Sequence, residues 1–72
     1  MSVSYERLWK LLADKKISPS ELRKKANFAP NTLTRLRKDE FVTMDVLNKI
    51  CNVLDSDFGE IMEHEKDIQE KL

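Results

Sequence analysis

Seventy-two residues, 40% of them hydrophobic, make one small domain, with no room for a second core. The single cysteine, Cys51, excludes an intrachain disulfide framework, and His64, the one histidine, leaves no zinc knuckle to assemble. Formal net charge is zero, no apolar run approaches the roughly 20 residues of a membrane span, and the N-terminus lacks the basic-then-apolar layout of a signal peptide, so the expected setting is cytoplasmic, with no membrane partner.

Gly59 is the one glycine and Pro19 and Pro30 the only prolines, so breakers are few. No segment alternates apolar and polar residues as a half-buried strand would, and helical spacing dominates. A first helix is expected over about residues 5–15, where Tyr5, Leu8, Trp9 and Leu12 recur at i, i+3, i+4 and i+7. Ser4 suits its N-cap, with Val3 and Leu8 as a hydrophobic staple. The second helix has the clearest start. Ser18-Pro19-Ser20-Glu21 supplies a cap serine, a proline at the first helical position and a capping-box glutamate, stapled by Ile17 and Leu22. It ends near Ala26, because Asn27 tolerates the left-handed backbone of a tight turn.

A third helix starts at Pro30 and carries Leu33 and Leu36 inward. Its cap position, Ala29, has no side-chain acceptor, which leaves backbone donors free at that end. The fourth follows a Thr43 cap, with Leu47, Ile50, Cys51 and Leu54 on one stripe. A fifth is expected from Asp57, with Glu60 completing a capping box and Phe58 and Ile61 turned inward. Past His64 the chain is polar, though Ile61, Ile68 and Leu72 share a face if that helix continues. The expectation is an all-α, five-helix domain over residues 1–64, with 65–72 a polar tail or an extension of helix 5.

The zero net charge conceals a segregation. Residues 1–38 hold ten basic side chains against three acidic ones, and residues 39–72 hold three basic against ten acidic. Such asymmetry suits one surface that meets a polyanion and another that repels it, although a solvated charged surface has the same composition. The basic half contains the segment Pro19–Lys38, which has the layout of a helix-turn-helix: two short helices, a residue tolerant of positive φ at Asn27, and apolar anchors at Leu22, Ala26, Phe28, Leu33 and Leu36.

The stretch SPSELRKKANFAPNTLTRLRK resembles the helix-turn-helix of the Cro and phage-repressor type, the xenobiotic-response-element family, and in particular its short stand-alone bacterial regulators. The resemblance spans about Tyr5 to Met62, since VTMDVLNKICNVLDSDFGEIM is similar to the family's fourth and fifth helices. Three positions depart from the family pattern: Pro19 replaces a usual glutamine that contacts phosphate, Arg23 a small residue, and Asn27 a glycine. The resemblance implies a repressor-like fold whose helices 2 and 3 form the motif, and a double-stranded DNA operator as partner. It further implies that the exposed face of the third helix reads bases through Ala29, Pro30, Asn31, Thr34, Arg35 and Lys38. Their chemistry suits the task, because arginine pairs bidentately with guanine and asparagine with adenine. Phosphate contacts are expected among Lys15, Lys16, Arg23, Lys24, Arg37 and Lys38, not all of which can face a duplex at once.

Other residues read as structural. Cys51, Tyr5 and Trp9 lie at core spacing, and His64 reads as a solvated residue of the tail. Asp55, Asp57, Glu60 and Glu63 lack the loop spacing of an EF-hand. Nothing assembles acid, base and nucleophile, so neither enzymatic activity nor a cofactor, metal or small-molecule ligand is expected. Two functions fit: a small transcriptional regulator of repressor type acting as a homodimer through helix 5 and the tail, or a protein-interaction module (antitoxin or anti-repressor) that docks through the acidic second half.

Overall fold

Side-chain caps at Ser18 and Thr43 set two of the helix starts. The computed structural model describes residues 2–66, in which α1 (Glu6–Lys15), α2 (Pro19–Ala26), α3 (Pro30–Arg37) and α4 (Met44–Leu54) follow one another through short turns. The fifth helix is not formed. Asp57 and Glu60 make the expected capping box, with the Asp57 N–H donating to Glu60 Oε1 at 2.8 Å, yet only one 3-10 turn, Phe58–Glu60, follows. Ile61 completes the core immediately after it and Met62 packs at its edge, but the positions three and four residues beyond Ile61, where a helix would return to the core, are His64 and Glu65.

The backbone there pairs instead. Strand β2 (Glu63–Glu65) lies antiparallel to β1 (Ser2–Ser4), with Val3 opposite His64. Over the described residues the fold is therefore a mostly helical domain of four helices with a short two-stranded ribbon, which corrects the five-helix expectation. Three-residue strands are too short to register as alternation in the sequence. Ile68 and Leu72, invoked for an extension of helix 5, lie outside the described residues.

The core joins all four helices. Leu8 and Leu12 from α1, Leu22 from α2, Leu36 from α3 and Ile50 and Leu54 from α4 are almost wholly buried, and Ile61 closes the cluster. Each such side chain contributes roughly 1.5–3 kcal/mol by leaving water. Cys51 is part of this core, and burial pushes its thiol pKa up. Trp9 is only half-buried and packs against the cluster from its edge.

All four helices end the same way. Lys16, Asn27, Asp39 and Asp55 adopt left-handed backbone, with φ of 57, 59, 56 and 53°. The N–H one residue further on bonds back to the carbonyl five residues before it: Ile17 to Leu12 at 3.0 Å, Phe28 to Arg23 at 3.3 Å, Glu40 to Arg35 at 2.9 Å and Ser56 to Cys51 at 3.1 Å. This is Schellman closure without glycine, the usual residue at the left-handed position. Asn and Asp accept that conformation readily, whereas Lys16 carries a Cβ penalty.

The N-terminus of α1 is held by the loop after α3. Tyr5 occupies the N-cap position, and its N–H donates to Asp39 Oδ1 at 3.0 Å. Its phenol, 1% exposed as a residue, donates to the Glu40 carbonyl at 2.9 Å. Ser4, expected as the cap, instead accepts from the Glu6 N–H at 3.3 Å, one position early. Burial foremost, and then the Asp39 carboxylate, raise the Tyr5 pKa. On the opposite side Arg7 donates to the Gly59 carbonyl at 2.8 Å and lies 3.5 Å from Glu63 Oε1, tying α1 to the 3-10 turn and β2.

Tyr5→Phe leaves the Glu40 carbonyl without its donor and is expected to lower unfolding free energy by about 1–2 kcal/mol in urea titrations. A raised tyrosine pKa favours the protonated fold, so its stability contribution is full below the ordinary tyrosine range and lost as pH rises through the raised value; the Phe variant should lack this alkaline component. Lys16→Gly removes left-handed strain and, after the added entropy of the unfolded chain, should raise stability by about 0.5–1 kcal/mol in the same assay.

Candidate nucleic-acid interface

The start of α2 is fixed by reciprocal bonds: Glu21 N–H to Ser18 Oγ at 3.1 Å, and Ser18 N–H to Glu21 Oε1 at 3.0 Å. The backbone donor at Ser18 holds the Glu21 carboxyl below its ordinary pKa, with Lys25 and Lys24 adding to the effect. After Asn27 the chain turns, and Phe28 plugs the junction between α2 and α3. Arg23 is half-buried, and its Nη1 donates to the Phe28 carbonyl at 3.1 Å. Its guanidinium thus braces the turn, a role distinct from the phosphate contact expected of it. The signal was available in the sequence, because closure at Asn27 makes residues 23 and 28 neighbours.

At the start of α3, Ala29 is extended and makes no side-chain cap bond. Pro30 has no N–H, while Thr32 and Leu33 both donate to the Ala29 carbonyl, at 3.0 and 3.4 Å. The Asn31 N–H is the donor in this first turn with no partner among the described residues. Successive residues advance by roughly 100°, so with Leu36 fully buried and Leu33 half-buried, Asn31, Thr34 and Lys38 stand on the opposite, exposed side. Pro30 and Arg37 flank this row on one side and Arg35 on the other. Thr34 Oγ1 donates back to the Pro30 carbonyl at 3.3 Å, and the residue remains exposed. Arg35 Nη1 lies 3.8 Å from Glu40 Oε1, beside an open groove lined by Thr32, Phe41, Val42, Thr43 and Val46.

The structure therefore brings Pro30, Asn31, Thr34, Arg35 and Lys38 onto one exposed surface of one helix. Of the residues expected at phosphate, Lys15 and Lys16 sit at the C-terminus of α1, Lys24 faces away from Leu22 on α2, and Arg37 closes α3; all four are exposed. The ion pairs among the described residues engage Arg7, Lys10, Arg35 and Lys49, and none of these four. No cluster of three or more metal-ligating side chains occurs among the described residues, and no helix there is long and apolar enough to cross a membrane.

Comparison with known proteins matches this geometry. No curated protein matches the chain. The crystal structure of the transcriptional regulator VanUg (Form II) is similar at 44% sequence identity, with a TM-score of 0.84 over 86% of this chain and 83% of that one. The Cro/C1-type HTH DNA-binding domain family matches over residues 7–67, which takes in α1 but for its first residue, the α2-turn-α3 unit, α4 and the ribbon's second strand. With the turn at Asn27, the plug at Phe28 and the exposed row on α3 in place, the chain belongs to the Cro/C1-type helix-turn-helix family of DNA-binding domains.

Proposed function

We propose that the chain is a sequence-specific regulator of repressor type, which lays α3 in the major groove of an operator as one half of a homodimer. The observation that carries this reading is the row Asn31, Thr34 and Lys38, directly opposite the buried Leu36 and flanked by Arg35. Asparagine suits adenine and arginine guanine, each as a bidentate pair. The unpartnered Asn31 N–H at the tip of α3 is suited to a phosphate oxygen, with Lys15, Lys16, Lys24 and Arg37 as further cationic contacts. Arg23, committed in part to the turn, contributes there chiefly by holding α2 and α3 together. Occupancy of the groove by such a domain blocks other proteins from the same site, which makes repression the simplest outcome.

A two-copy arrangement is supported by one surface. Phe41 and Met44, 60% and 58% exposed, border an apolar groove that continues through Val3, Leu47 and Met62. Two-fold operators would then place two copies of α3 roughly 34–36 Å apart.

Selection of bound sites from a random duplex pool tests the DNA reading. Arg35→Ala should erase preference at one base pair per half-site, whereas Lys24→Ala should weaken all sequences alike and make the slope of log K against log salt shallower by about one, as expected when one phosphate is no longer neutralised. A flat salt series would favour the protein-interaction module instead. For the homodimer, sedimentation should give a two-copy mass for the native chain and a one-copy mass for Met44→Asp, a change that suits the first turn of α4. A one-copy native mass would remove the dimer.

A further inference from the structure

We propose that Glu40 is a positioning residue for base recognition, holding the Arg35 guanidinium so that it reads one base pair instead of settling on the phosphate backbone. This rests on the reading of α3 as the DNA-contacting helix. The left-handed Asp39 folds the chain back, so the residue five positions after Arg35 returns beside it. At many helix ends of this type these two positions make an apolar contact; here they are an arginine and a glutamate.

Glu40 is not free to drift from that place. Its N–H donates to the Arg35 carbonyl at 2.9 Å, and its own carbonyl accepts the buried Tyr5 phenol at 2.9 Å. Its carboxylate then lies 3.8 Å from Arg35 Nη1, a charge contact rather than a hydrogen bond. An exposed pair of this kind adds little to stability. Its effect falls on where the arginine points. An unpaired arginine on a long flexible stem can meet any nearby phosphate, a contact that carries no sequence information. A carboxylate at Nη1 engages one side of the fork and repels phosphate, while the remaining N–H groups stay available to guanine O6 and N7.

The test compares wild type, Glu40→Gln, Arg35→Ala and the double variant by site selection from a random duplex pool, with affinities for one selected and one scrambled duplex. Glu40→Gln keeps both backbone bonds, and an unchanged urea midpoint verifies the fold. The expected result is a loss of about five-fold or more in preference at the same base pair that Arg35→Ala erases. Affinity for the scrambled duplex should be equal or higher, and the double variant should match Arg35→Ala alone. Full retention of preference in Glu40→Gln, or loss at a different base pair, overturns the role of Glu40 while the reading of α3 stands. If Arg35→Ala erases no preference, or wild type selects no sequence, both fall.

Discussion

A buried tyrosine at the start of α1 donates its backbone N–H to the Asp39 side chain and its phenol to the Glu40 carbonyl, across sequence separations of 34 and 35 residues. Those two bonds fasten the loop that terminates α3 to the first helix, and they do so at the edge of the core, where the buried Tyr5 phenol would be costly to leave without a partner. The end of α3 is therefore fixed in space by α1, as its beginning is fixed by the turn at Asn27–Ala29 and the Phe28 plug. A helix of eight residues such as α3 is too short to be stable alone, and it inherits its orientation from those attachments.

The left-handed terminators are the second shared constraint. The one glycine in the chain is not at a left-handed position, so closure falls to Lys16, Asn27, Asp39 and Asp55. Each closure brings together two residues five apart, and the chemistry of each pair differs. Leu12 and Ile17 both pack on the core, Arg23 binds the Phe28 carbonyl, and Arg35 meets the Glu40 carboxylate. The same backbone device thus closes the core under α1, braces the turn between α2 and α3, and places an acid beside an arginine at the end of α3.

Charge follows the same division of labour. The basic half contains α1, α2 and α3, and the acidic half begins at Asp39, within the loop that Tyr5 holds. Acids in that half take structural tasks: Asp39 accepts from Tyr5, Glu63 pairs with Arg7, and Asp57 and Glu60 cap the 3-10 turn. A domain with zero formal charge can in this way present cations on its helix-turn-helix while its acids serve the fold.

By itself the sequence determined most of what depends on residues within one or two helical turns, the cap of α1 excepted. The capping box at Ser18, the Thr43 cap, the uncapped Ala29 start, the left-handed Asn27 and the apolar stripes of α1 and α4 are all local, and the structure has each of them. The exposed row on α3 follows from the same periodicity. Only the tertiary structure decided how far the fifth element runs, because a correct capping box starts a helix but cannot supply the apolar face that sustains one. It also decided the pairing of Ser2–Ser4 with Glu63–Glu65 and the hold of Tyr5 on Asp39 and Glu40. Those contacts join residues more than thirty positions apart, and no spacing rule anticipates them. The placement of Glu40 beside Arg35 lies between the two cases: the closure is local, but no glycine stands at Asp39 to signal it, and the Tyr5 bond that fixes it comes from the far side of the fold.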